Sequence, residues 1–546
     1  MLLRTLVTGI LLTAGAFAQM SSFPKPSYFR ETFQKTRTKV ELRDPVRLKD
    51  FVADGKLELS LRHFLELVMA NNTDVQIQLL SLEIPKSAIQ TALGTFDPTL
   101  RASYNTNRST SYVTNPSSAI DSVPVGGSVK ALSQPYSATW NQTLSSGTQY
   151  SVGFTGTRTS SSAVTNNSYN AGLQNTSLAF NVTQPLIKNR GTFVNRIPVM
   201  QAQSRYRMSE FQLRSQLLTL INTAEGAYWS VISARENLRV QEQARDTAAA
   251  YLAYMQQQLD LGALSPLDIY NPKANLAAAE VSVSQARFSL LQAEDVLRHQ
   301  LGADLDPDVR KLPLSLTESV DPGPADAVAV DREQAVQKGL ATNPAMKAVL
   351  QNLDYDDLSI QSAKNGLLPN LSLTGGYSAA GRGGSYINGL GSVIPGGIGD
   401  ALSQLFGFGY PTYQAGLSLT LPVRSRAASA AMATALVQKK QDALTVRNQQ
   451  QNIRLQVLNA VTGLEGAKES LKLANTQREF AKLNLDAENE KYRLGTEINQ
   501  NVINAQQQLA QAELAVVNAQ ISVRRSVLNL LTQTGELLDE RGIVVK

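Results

Sequence analysis

The sequence predicts a mixed α/β membrane protein in which a β-barrel, shared among identical chains, is continued by long coiled-coil helices. Three observations lead there. The chain carries an export signal but no apolar span, its helices are too long for a globular core, and alternating strands recur at the same place in two internal repeats.

The export signal comes first. The chain opens MLLRTLVTGILLTAGAFAQ, with one Arg, a short apolar run and Ala16-Phe17-Ala18, the pattern of a secretory signal peptide expected to be cleaved after Ala18. Among the 546 residues there is no cysteine, which excludes disulfides, thiolate metal sites and a lipid-bearing cysteine at the signal cleavage site. The only histidines, His63 and His299, lie in helical runs and read as helix-surface residues, so neither a metal nor a cofactor is expected. The net charge of +6 comes from Lys and Arg scattered among 45 acidic residues, which gives nucleic-acid binding no support. After the signal, no stretch approaches the ~20 apolar residues of a spanning helix. Entry into a membrane therefore requires a barrel.

The repeats are written in the turns. Gly262 to Gly302 is 40 residues and Gly495 to Gly535 is also 40. Between them Leu276, Ala279, Val283, Ala286, Leu290, Ala293 and Leu297 match Leu509, Ala512, Val516, Ala519, Val523, Ser526 and Leu530, in the three-four spacing of a coiled-coil seam. Upstream, residues 67–100 resemble residues 339–371, pairing Asn72 with Asn343 and Pro98 with Pro369. TQPLI (183–187) likewise pairs with TLPVR (420–424).

The strands alternate with period two. Tyr413, Ala415, Leu417, Leu419 and Leu421 interleave with small polar residues, as do Leu100, Ala102 and Tyr104, and Leu178, Phe180 and Val182. One apolar face and one small polar face suit lipid outside and water inside. Ser109–Pro135 and Ala379–Tyr410, including GRGGSYINGLGSVIPGG, read as external loops, and that glycine-rich run lacks the context of a phosphate loop. A hairpin at 136–159 occurs in the first half only and either adds strands or decorates a loop. Trp140 suits a membrane-interface belt and Trp229 suits helix packing.

Pro185–Gly262 and Pro422–Gly495 each predict one helix of more than 70 residues, on the order of 110 Å long. Helices of half that length, stacked end to end, match each long one. The expected order is a signal peptide (1–18), a polar extension (19–58), a first repeat (59–302, strands about 98–187, tip 261–262), an equatorial linker (303–330), a second repeat (331–535, strands about 369–422, tip 494–495) and a tail (536–546). Four strands per chain cannot close a barrel and open edges are not tolerated in lipid, so the barrel must be shared. The physical reading is a duct, a pore in the outer membrane prolonged by a helical tube into the periplasm.

At this point the chain resembles the TolC-like outer-membrane efflux family, from about Leu59 to Gly535. Both repeats carry the resemblance, as do the twin turns LGALSPLDI (261–269) and LGTEINQNV (494–502). It implies a homotrimer with a twelve-stranded barrel in outer-membrane lipid, a helical periplasmic tunnel and an equatorial domain. It also implies a periplasmic adaptor protein docked at the tips and an inner-membrane transporter of the RND, ABC or MFS type. Such ducts export drugs, toxic solutes or proteins and do no chemistry, so no enzymatic activity is expected.

The tips are Leu261, Gly262, Leu494, Gly495 and Thr496, where glycine supplies positive φ and the exposed surface resembles the family's adaptor contact. Asp268 holds the family's aspartate position after the first turn and Tyr492 its tyrosine before the second, which implies an Asp268–Tyr492 hydrogen bond in a closed aperture. Asn501 and Asn504 stand where the best-known members carry an aspartate pair, and Glu497 replaces an arginine of the gate. Weak cation selectivity is expected from an aperture lined with amides. An exported coiled-coil scaffold without transport activity accounts for the helices but not for strands placed alike in both repeats. An enzyme is the weakest alternative, since no nucleophile elbow, zinc motif or dinucleotide fingerprint is present.

Overall fold

The computed structural model describes residues 48–53, 55–112, 126–162, 171–262, 265–302, 310, 312–321, 323, 329–387 and 392–543. The expected signal peptide, most of the N-terminal extension and parts of the linker lie outside the described residues.

A short antiparallel pair, β1 (Val52–Ala53) and β2 (Lys56–Leu59), leads into three short helices, α1 (Leu61–Asn71), α2 (Thr73–Ser81) and α3 (Glu83–Leu93). Strands β3 (Thr99–Tyr104), β4 (Asn107–Tyr112), β5 (Ser128–Thr143), β6 (Gln149–Ser161) and β7 (Ala171–Pro185) follow. The long α4 (Thr192–Asp260) and returning α5 (Tyr270–Gln300) complete the first half. The second half runs β8 (Leu314–Leu316), α6 (Arg332–Thr342), α7 (Pro344–Gly366), β9 (Asn370–Ile387), β10 (Val393–Ile394), α8 (Ile398–Phe406) and β11 (Pro411–Thr420). It ends with the long α9 (Arg426–Arg493), the returning α10 (Asn499–Thr534) and the short α11 (Leu537–Glu540).

The large sheet is antiparallel and six strand positions wide. β3 and β4 in succession pair with β5, then come β6, β7, β9 and β11, with β10 against the outer end of β9. Four strands per chain were expected, and the hairpin at 136–159 supplies the difference. β5 and β6 are bonded into the sheet between β3 and β7, so the hairpin adds two strands to it. Two segments expected as loops are partly strand or helix. β4 and β5 reach into 109–135, while β9 runs through the glycine-rich run to Ile387 and α8 follows it.

Register shows what alternation could not. Leu100, Trp140, Val152, Phe180, Tyr377 and Tyr413 are direct cross-strand partners in one unbroken row across the sheet. The next row outward is Ala102, Ala138, Phe154, Leu178, Ala379 and Pro411. Between these two, on the opposite face, lie Arg101, Thr139, Gly153, Ala179, Ser378 and Thr412. Partners directly opposite one another share a face, so across these rows one side is apolar and the other, Arg101 apart, is small.

Below the sheet, α4 and α9 have 69 and 68 residues, each roughly 100 Å long. They begin later than expected, and α4 contains a proline. Pro198 lies in its second turn, where it offers no N–H to the carbonyl of Val194. On α9 the seam Ile453, Val457, Ala460, Leu464, Ala467 and Ala474 is buried. The expected single helix before β3 is three short ones, with Asn72 at the first break.

Asn72 and Asn343 make matching junctions. Asn72 Oδ1 accepts from the N–H groups of Asp74 and Val75 and so caps α2, while its Nδ2 donates to Gln300 O at 2.9 Å. Asn343 Oδ1 accepts from Ala345 N and caps α7, while its Nδ2 donates to Gln533 O at 3.0 Å. Each amide therefore satisfies the start of one short helix and the end of another, which stacks the two.

Midway along α4, Leu57 and Leu59 of β2 and Leu314 and Leu316 of β8 are buried in the same core as Phe64 and Tyr228. The Tyr228 hydroxyl donates to Leu59 O at 3.0 Å, and burial raises its pKa to about 12, so it remains a donor. Nearby, Glu225 is 1% exposed and accepts two bonds from Arg541, at 2.6 and 3.0 Å, which ties the chain's end to α4.

Removing Arg541 leaves the buried Glu225 carboxylate without its charge partner, so Arg541→Ala should cost about 3–5 kcal/mol and lower the thermal midpoint. The double variant Arg541→Met/Glu225→Met should recover much of that loss.

Asp356 on α7 is 3% exposed, and burial together with the neighbouring Asp442 carboxyl on α9 raises its pKa to about 6. A carboxyl whose folded pKa is raised favours the fold below its unfolded value near 4, and that contribution is lost as pH rises through about 6. Asp356→Asn should therefore raise the thermal midpoint at pH 7.5 and change it little at pH 4.

Candidate functional site

The two helix hairpins turn at glycines with left-handed φ, 72° at Gly262 and 75° at Gly495. At the second turn Thr496 N reaches back to Lys491 O at 3.0 Å and Gly495 N to Tyr492 O at 3.0 Å, which occupies the carbonyls left free where α9 ends. The Thr496 hydroxyl donates to Lys491 O as well. At the first turn Gly262 N bonds Leu259 O at 2.9 Å, and α5 begins only at Tyr270, so Asp268 lies in the turn rather than on a helix. Apolar side chains project from both tips: Leu261, Leu267 and Tyr270 from the first, Leu494 and Ile498 from the second, each more than 60% exposed.

Between the hairpins lies a small core of Tyr251, Met255, Ile269, Leu485, Val502, Ile503 and Ala505. Tyr492 packs on it, edge-on to Tyr251 with ring centroids 6.3 Å apart, and donates its hydroxyl to Met255 Sδ at 3.1 Å. The expected bond from Tyr492 to the Asp268 carboxylate is not made in this structure. Ile269 is buried while Asp268 is exposed, and it is the Asp268 carbonyl that joins the hairpins, by accepting from Asn499 Nδ2 at 3.1 Å. Burial raises the Tyr492 pKa, with smaller contributions from Tyr254 and the Asp268 charge.

The asparagine pair is divided in its duties. Asn501 is half-buried and donates Nδ2 to Glu497 Oε1 at 2.6 Å. With the N–H of Ile498 as the first cause and Asn501 as the second, the Glu497 carboxyl is held below its usual pKa. Asn504 is exposed and accepts from Gln500 Nε2 at 3.0 Å. Asn501 thus neutralises hydrogen-bonding capacity on Glu497, and only Asn504 offers a solvent-facing amide.

The sequence assigned no role to Tyr251, Met255 or Asn499, and of Ile269 it gave only a place in the turn motif. Tyr251 and Met255 are four apart on α4, a helical spacing that signals a shared face but not which helix it meets. Asn499 left no signal at all. Among the described residues no cluster of His, Asp and Glu is arranged to hold a metal ion.

Residues 146–303 and 335–536 match the family described as outer membrane efflux protein. The outer membrane efflux protein BepC of Brucella suis is 23% identical over 356 residues, 65% of this chain and 71% of the relative. The probable efflux pump outer membrane protein TtgC of Pseudomonas putida is 23% identical over 338 residues, 61% of this chain and 64% of the relative. In fold, the chain is similar to the Campylobacter jejuni CmeC outer membrane channel, with a TM-score of 0.58, 16% identity and 94% of each chain covered. It is also similar to the open state of the Neisseria gonorrhoeae MtrE outer membrane channel, with a TM-score of 0.58, 18% identity and 87% and 89% coverage. With more than half of its length matched, the chain belongs to the outer membrane efflux protein family.

Proposed function

We propose that three copies of this chain close their sheets into one barrel and their helices into one tube, forming the exit duct of a tripartite efflux or type I secretion system. The unbroken apolar row from Leu100 to Tyr413, backed by small polar residues, supports this reading most strongly. It spans the sheet from edge to edge, and the unpaired edges of β3 and β11 need strand partners in lipid. Pairing β11 of one copy with β3 of the next satisfies both.

Six positions per chain make the barrel eighteen-stranded rather than twelve-stranded. Eighteen strands spaced about 4.8 Å apart and tilted about 40° have a circumference of about 110 Å, against about 75 Å for twelve. Each chain brings four helical positions, the two long helices and the two stacked pairs. Twelve helices about 9 Å apart also measure about 110 Å around, so barrel and tube join without a step.

The apolar side chains at the two tips suit docking by a periplasmic adaptor, which would link the duct to an inner-membrane transporter. Transport through it is passive, and cargo is driven by the pump.

Purified protein in planar bilayers tests this. A trimer with stable conductance is expected, and polymers admitted by eighteen strands should be larger than a twelve-stranded bore passes. A chain that fractionates away from the outer membrane and forms no channel would overturn the reading in favour of a scaffold.

Asn501→Asp/Asn504→Asp should increase cation over anion permeability and block by multivalent cations, since three chains gain six carboxylates at the aperture. Asn501→Asp also sets a carboxylate against Glu497, so its thermal midpoint should fall at neutral pH. Unchanged selectivity would remove both residues from the aperture.

A further inference from the structure

α8 lies on the apolar face of the sheet, outside the proposed pore. Thr176 donates its hydroxyl to Ala401 O at 3.3 Å, and Thr176 belongs to the row Tyr104, Tyr136, Gly156, Thr176 and Gly381. That row shares its face with the Leu100–Tyr413 row and is the second one outward from it. A Cβ on Gly381 or Gly383 would overlap the carbonyl oxygens of Ala401 and Gly397, so two absent side chains make the cradle in which α8 rests. Ala401 and Leu405 are buried there, and Gln404 Oε1 accepts from Arg382 N at 3.1 Å. From Gly383 the helix descends along the strand direction toward Tyr377, whose ring lies 6.1 Å from that of Phe408.

At 100° per residue, Ile398, Leu402 and Phe406 flank the buried Ala401–Leu405 line on one side, and Asp400 and Ser403 occupy the far side. Ile398 and Phe406 are 50% and 51% exposed. A helix with one apolar flank and one polar flank, lying at the end of an apolar band, has the form of an interfacial element.

Charge points the same way. The strands of the large sheet contain no Asp or Glu, yet carry Arg101, Arg108, Lys130, Arg158 and Arg382. Arg158, Arg108 and Lys130 share the apolar face and occupy successive rows beyond Tyr136, level with α8 or outward of it. All three are exposed.

We propose that α8 and this basic ladder form a binding surface for anionic, phosphate-bearing lipid of the outer leaflet. Ile398 and Phe406 enter the acyl-chain boundary, and Arg108, Lys130 and Arg158 hold the phosphates. The inference rests on the barrel reading above.

Because the chain has no cysteine, a single introduced one carries a unique spin label. Labels on Phe406→Cys, Ser403→Cys, Leu417→Cys and Ser418→Cys are compared in vesicles of phosphatidylcholine and phosphatidylglycerol. Relaxation at 406 and 417 should be dominated by oxygen, and at 403 and 418 by a water-soluble nickel chelate. Nickel-dominated relaxation at 406 with oxygen at 417 overturns the lipid role of α8 and leaves the barrel standing. Nickel at both overturns the barrel reading as well. In the unlabelled protein, Arg108→Gln/Lys130→Gln/Arg158→Gln should reduce the preference for spin-labelled phosphatidylglycerol over phosphatidylcholine at least about twofold. An unchanged preference removes the basic ladder from the surface.

Discussion

A strand at the edge of a sheet carries a row of unpaired N–H and C=O groups, and hydrocarbon supplies nothing to bond them. In the proposed barrel that constraint acts on β3 with β4 at one side and on β11 at the other. The face that would meet lipid is apolar right up to both edges, ending at Leu100 and at Tyr413, both largely exposed in the single chain. A soluble sandwich would bury such a face against a second sheet, and the described residues contain only one other sheet, the small one beside α4. The proposed shared barrel is thus one requirement met at two edges. The hairpin of β5 and β6 does not alter it, because it lengthens the wall without changing the faces.

The helical half answers a different problem, the holding of rods of roughly 100 Å in register. Seams of Val, Leu and Ala supply burial but tolerate sliding, since successive heptads look alike. The particular contacts prevent it. Asn72 and Asn343 lock helix ends to one another, Tyr228 binds the small sheet midway along α4, and Arg541 reaches the buried Glu225. Each is a directional polar contact in or beside an apolar core, where a partner left unmet is expensive. These features suit an outer-membrane efflux protein that extends into the periplasm.

Much of this was legible in the residues. Alternation at Tyr413–Leu421 marked a strand with one apolar face, the seam at Leu509–Leu530 marked a helix with one apolar stripe, and Gly262 and Gly495 marked turns that need positive φ. The candidate site was legible only in outline. The helices turn at Gly262 and Gly495, but the Tyr492 hydroxyl donates to Met255 and not to Asp268, and Asn499, which no pattern in the sequence singles out, bridges the hairpins.

The sequence by itself determined the faces: which residues of each strand and helix are apolar, and where the chain must turn, because these follow from local period and from glycine's freedom at φ. Only the tertiary structure decided the partners. Period-two alternation is the same for a strand in the wall and a strand in a loop, so the place of β5 and β6 awaited their hydrogen bonds. An apolar nine-residue helix between glycines says nothing of which side of a sheet it will cover. That depended on the gap left on β9 by Gly381 and Gly383, into which the backbone of α8 fits.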